Sequence, residues 1–248
     1  MSLPQPITPG TGEAQLAEVI GVAMALSRGG RNDQALPILG QLATLHPGRS
    51  DVRLAHVAAL GDQGRTLEAL AQLSALKPMG VTPALMAAIQ VQAEMAIVKF
   101  NAHLARGEPA DAERFAAALA ELMPQNPAML QAALSCNQAL GRTAQALHYA
   151  QAMLAVDPAN RAARTTLADL LHAHGDIGRE IDHRVALALA PAPDTPALLA
   201  LRDLHDAAGL ILCRPLTAQS RAQLDALLSA AKALEVPVPP GTDWEAWA

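Results

Sequence analysis

Five glycines mark a period along this chain: Gly30, Gly64, Gly107, Gly141 and Gly175, at gaps of 34, 43, 34 and 34 residues. A recurring spacing of that length fits one supersecondary unit, two helices and their turn, repeated in series. Such a unit cannot bury its apolar face alone. Successive units must stack, each against its neighbours, so the period constrains the chain to an array.

The residues around the glycines repeat as well. Ala35, Ala69, Ala112 and Ala146 each lie five residues after their glycine, and Glu180 takes that place in the fifth unit. Alanine is common here, so proline is the sharper test. Pro47, Pro124 and Pro158 each follow their glycine by 17 residues, in a chain with only 18 prolines among 248 residues. The two exceptions are Val81, with Pro78 nearby, and Ala192, between Pro191 and Pro193. Each feature has a mechanical role. Glycine ends the first helix in a conformation with positive φ. Asn32, Thr66, Pro109 and Thr143, two residues on, suit the cap or start of the second helix. A small alanine lets two helices cross closely. Proline follows the second helix because it cannot continue one.

This pattern resembles the tetratricopeptide repeat over roughly residues 13–191. The large aromatics usual in that family are absent: Val19, Arg53, Ala96, Leu130 and Arg164 stand at one aromatic position, and Leu26, Leu60, His103, Asn137 and Leu171 at the other. The packing expected is therefore Leu/Ala-based, in a divergent array. The resemblance implies an all-α fold, a right-handed α-solenoid of antiparallel helix pairs. Its units are expected at about 13–47, 49–78, 83–124, 127–158, 160–191 and 195–234. Residues 1–12 read as a disordered leader. Residues 235–248 read as a Pro/Trp tail, whose Trp244 and Trp247 either pack back on the body or dock elsewhere.

The gap of 43 residues adds nine to the third unit. That is about two and a half helical turns. An elongated helix is expected from Pro83 to about Arg106. It is apolar on nearly every side, through Leu85, Met86, Ile89, Val91, Met95, Ile97, Val98 and Phe100. Such a helix must be covered, either by its neighbours or at a homodimer or partner seam. The last helix, Thr217 to Leu234, carries Leu224, Leu227, Leu228, Ala231 and Leu234 at helical spacing and reads as a cap.

Composition narrows the function classes. Net charge is −5, which disfavours nucleic acid. Cys136 and Cys213 match no disulfide or zinc spacing. No signal peptide and no membrane span are read, and the expected location is cytoplasmic. No catalytic residue, cofactor or metal is assigned. His172 and His174, two apart, diverge on a helix, although Asp169, Asp176, Asp182 and His183 lie close in sequence. Cys136 near His148 lacks an orienting third group and reads as a buried structural thiol.

In the family resembled, the first helices of successive units line a concave groove. Placing that pattern on this chain gives the groove candidates Asn101, Gln131, Ser135, Gln138, Thr165, Asp169 and His172, with Met24, Ser27, Asp51 and Leu54 in the earlier units. No Lys or Arg falls at these positions, so a clamp for a terminal carboxylate is not expected. Amides and hydroxyls there suit the backbone of an extended peptide. The leading expectation is a non-catalytic interaction module: an adaptor, scaffold or chaperone that binds a protein segment. The alternatives are the substrate-recognition arm of a protein-modifying enzyme, such as a bacterial glycosyltransferase, and a self-assembling scaffold.

Overall fold

The computed structural model describes residues 12–234, and these are helical apart from turns, with no strand. The expected leader, apart from Gly12, and the tail with its two tryptophans lie outside the described residues. The helices are α1 (Glu13–Arg28), α2 (Asn32–Leu45), α3 (Ser50–Asp62), α4 (Thr66–Leu76), α5 (Pro83–Ala105), α6 (Pro109–Leu122), α7 (Pro127–Ala139), α8 (Thr143–Val156), α9 (Arg161–His174), α10 (Ile177–Leu189), α11 (Ala197–Leu212) and α12 (Ala218–Ala233). A short 3-10 turn, Lys77–Met79, follows the shortened α4. The chain divides into two compact units, with the boundary between Leu140 and Gly141.

In the first unit each helix packs on the next, and α1, α3 and α4 also touch the next but one. In the second unit α8 to α12 pack in sequence, and α12 reaches back to α10. Packing within each unit is thus between helices close in sequence, as in stacked repeats. The five periodic glycines all take positive φ, from 66° at Gly141 to 79° at Gly175, each just past a first helix. Pro47, Pro124 and Pro158 each stand two residues beyond the end of a second helix. Ala35, Ala69, Ala112 and Ala146 are wholly buried. The arrangement is an all-α array of consecutive helix pairs, as the periodic glycines imply.

The sequence leaves cap or helix start open for the residues two beyond the glycines, and the structure gives the start. Asn32, Thr66, Pro109 and Thr143 are the first helical residues and not caps; Arg31, Arg65, Glu108 and Arg142 hold the cap positions, with no side-chain cap bond. Arg65 and Arg31 instead reach forward one turn, to Glu68 and Gln34. True side-chain caps occur at Thr82, Asn126, Asn160, Asp176 and Thr217, which accept backbone N–H bonds at the starts of α5, α7, α9, α10 and α12.

The core of the first unit is leucine and alanine, with Phe115 its one buried aromatic among the described residues. At 23 residues α5 is the longest described helix. Leu85, Ile89, Ala93 and Ala96 face the core, together with the buried amide of Gln92. Gly61 on α3 makes room for that amide: a Cβ there would lie 2.2 Å from Gln92 Nε2. The outer face of α5 stays open, with Val91 53% and Val98 68% exposed. Neighbouring helices thus cover only one side of it.

Candidate functional site

The second unit carries a cleft of about 640 Å³. First helices of successive pairs, α9 and α11, supply its walls, and α10 supplies its floor. Arg161 and Thr165 come from α9, Glu180, Arg184, Leu187 and Ala188 from α10, and Asp203, His205, Asp206, Ala207 and Leu210 from α11. Helical spacing explains the alignment. Arg161 and Thr165 are one turn apart, and so are Asp203 with Asp206 and Asp206 with Leu210. The floor is apolar, with Leu187, Ala188 and Ala207 all buried there.

Glu180 is the anomaly. It holds the crossing position that alanine fills in four other pairs, and it is 2% exposed. A carboxylate so deep must be paired. Its Oε2 lies 2.9 Å from His172 Nδ1. Its Oε1 has Arg184 Nε at 3.6 Å, longer than a hydrogen bond. Arg184 gives its stronger bond to Asp169, with Nη2 donating at 2.7 Å. Arg161 closes the end of the cleft. Its guanidinium donates to the carbonyls of Leu187 and Ala190 at 2.8 and 2.6 Å, satisfying the end of α10, and sits 3.6 Å from Asp203.

The sequence candidates fall in two places. In the second unit Thr165 lines the cleft, and its hydroxyl donates to the carbonyl of Arg161. Asp169 and His172 continue the same row of α9, exposed but held by Arg184 and Glu180. In the first unit Gln131, Ser135 and Gln138 form one exposed row on α7, opposite the buried Leu130, Ala133, Leu134 and Asn137. Gln131 donates to Ser135 at 3.1 Å. Asn101 is exposed on α5. Ser27 is buried and donates to Asn32 and Asp62, so it serves packing between α1 and α3 and not a groove surface. The cleft residues that sequence reasoning passed over are Arg161, Asp203 and Asp206. The signal was there: one period of 34 residues beyond Asp169 is Asp203, and beyond His172 is Asp206.

Two other clusters bear on chemistry. Cys136 is buried, and burial with the nearby Glu113 pushes its thiol above the ordinary range, away from the thiolate a nucleophile needs. His103, Glu108 and Asp111 bring potential ligand atoms within 4.8 Å of one another. Arg106 already sits among them, its Nε 2.9 Å from Glu108 and its Nη2 3.0 Å from His103 Nδ1. With His103 as first cause and Arg106 as second, these bonds hold the Glu108 carboxyl below its ordinary range. Among the described residues no helix is long and apolar enough to cross a membrane.

No protein family model matches the chain, and no curated protein matches it. Among solved structures it is similar to the Naa15/Naa10 complex bound to HypK-THB, at 15% identity over 89% of this chain and 34% of that one, with a TM-score of 0.40. It is similar to the TPR domain of P58(IPK), at 14% identity over 88% and 64%, with a TM-score of 0.41. It is also similar to MamA, at 13% identity over 65% and 90%, with a TM-score of 0.34. The chain spans about a third of the first of these structures.

Proposed function

We propose that this chain is a non-catalytic protein-interaction module, an adaptor, scaffold or chaperone, that binds a protein segment along its first helices. One observation carries the reading. The row Thr165, Asp169 and His172 flanks a cleft walled by two successive first helices, where an extended segment has both polar partners and an apolar floor. The exposed amide and hydroxyl row of α7 offers the same kind of partner in the first unit. The test is capture from native extract by wild type beside a Gln131→Arg, Asp169→Arg double variant of matched helicity. A protein held by wild type and lost by the variant supports the reading. Equal capture by both sinks it.

A second reading rests on α5. Val91 and Val98, seven residues apart on its open face, suit a helix-on-helix contact with a second copy. A concentration series of light scattering reads the outcome. A dimer that a Val91→Lys, Val98→Lys variant abolishes supports self-assembly; a monomer at every concentration removes it.

A further inference from the structure

We propose that the cleft between α9 and α11 receives a lysine or arginine side chain of the bound segment. This names the chemistry of the partner and rests on the reading of the first helices as a protein-binding surface.

Charge carries the argument. Three guanidinium groups stand at the cleft acids, Arg161 and Arg184 in its lining and Arg202 3.6 Å from Asp203, against four carboxylates, Glu180, Asp203 and Asp206 in the lining and Asp169 at the rim. All three arginines are committed within the protein. Arg161 is spent on the α10 carbonyls and Asp203, Arg202 on Asp203, and Arg184 on Asp169. Asp206 keeps a side chain 67% exposed, with His205 Nδ1 at 3.5 Å. The surplus in the cleft is therefore negative at neutral pH. Clefts lined by one sign of charge concentrate the opposite sign.

Shape makes the same choice. Leu187, Ala188, Ala207 and Leu210 give an apolar channel, and the carboxylates of Asp203 and Asp206 stand on one wall. A side chain with an aliphatic stem and a cationic head matches both, stem on the floor and head at the acids. An acidic side chain meets like charge. A neutral apolar one leaves the acids without a new partner. The register agrees too, since Asp203 and Asp206 stand one period beyond the groove positions Asp169 and His172.

The experiment titrates the full chain, labelled with nitrogen-15, at pH 7.5. The probes are N-acetyl-arginine methylamide and N-acetyl-lysine methylamide, with the neutral isostere N-acetyl-citrulline methylamide as control. Saturable shifts at the amides of Thr165, Ala188, Ala207 and Leu210 are expected with the two cations and not with citrulline. An Asp203→Asn, Asp206→Asn variant should bind about tenfold more weakly. Asp206→Asn alone, at an exposed side chain, gives a weaker version of the same loss should the double variant unfold. Absent shifts, equal shifts with citrulline, or unchanged binding by the variants overturn the proposal. The extract experiment keeps the two ideas apart. Probe failure alongside selective capture removes only the cationic side chain, while probe binding alongside equal capture removes only the segment-binding reading.

Discussion

Replacing Glu180 with alanine should leave the protein as stable as before or make it more stable. The substitution restores the residue that the other four pairs place at the helix crossing. It removes two interactions. The bond to His172 joins a buried carboxylate to a side chain 69% exposed, so it is screened and worth about 1 kcal/mol. The contact with Arg184 is long, and Arg184 keeps Asp169 at 2.7 Å. Against these stands the desolvation of a carboxylate 3% exposed, which costs several kcal/mol in a protein interior. The vacated space opens on the cleft and fills with water, so no empty cavity adds a penalty. The balance is a gain between zero and about 2 kcal/mol, or up to about 4–8 °C in Tm for a chain of this size. Thermal unfolding followed by circular dichroism at pH 7.5, with urea unfolding beside it, reads the result. A loss of more than about 1 kcal/mol would refute the reasoning and make Glu180 a structural residue. A gain, together with weaker binding of the cationic probes, would show that the fifth pair gives up stability for its site.

Two further outcomes follow from the described geometry. His56 is half-buried, and its pKa is lowered first by burial and then by Arg65, with Glu68 opposing. A lowered histidine pKa means the unfolded chain takes up the proton first, so stability is full above the ordinary histidine range and falls as pH drops through it toward the folded value. Urea midpoints at pH 7.5, 6.5 and 5.5 should decline in wild type and decline less in His56→Asn; equal slopes would remove His56 as a cause. Gly29 and Gly30 form an internal pair at the end of α1, with φ of −80° and 73°. Gly30→Ala should cost about 1–2 kcal/mol, because an L-residue is strained at positive φ. Gly29→Ala should cost less than about 0.5 kcal/mol, since its φ is ordinary and only the Ala25 carbonyl, 3.3 Å from the new Cβ, is crowded. Equal losses in urea unfolding would show that crowding, and not φ, sets the need for glycine here.

The fold was legible because its signals are local and repeated. Positive φ at Gly30, Gly64, Gly107, Gly141 and Gly175 follows from the turn each must make, and the buried Ala35, Ala69, Ala112 and Ala146 follow from the crossing each must allow. The length of α5 follows from the nine residues added to one gap. Cap identity was less legible. A residue two beyond the glycine suits cap or helix start by type, and only the length of the turn decides, so Thr66 and Thr143 are already helical. The burial of Ser27 was hidden for another reason: its partners include Asp62, 35 residues away on α3, and a contact across helices leaves no mark in local spacing.

The cleft was half legible, and the missing half is instructive. Carrying the repeat register from the regular pairs into α9 leads to the row Thr165, Asp169 and His172, of which Thr165 lines the cleft. The opposite wall carries no turn signal: the glycine one period beyond Gly175, Gly209, lies inside α11 and makes no turn, and the connection after α10 runs through Pro191, Pro193 and Pro196. Yet α11 keeps the register that the glycines set, placing Asp203 and Asp206 where a further unit would put its own first-helix residues. The chain keeps the glycine of its period at Gly209 but no longer makes the turn there. In the same stretch it gives up the crossing alanine for Glu180. A site breaks local rules where function requires it and the rest of the fold can bear the cost. The fifth pair and α11 are where this chain departs from its own repeat: the turn is not made at Gly209, a carboxylate enters the packed layer, and a cleft opens beside it.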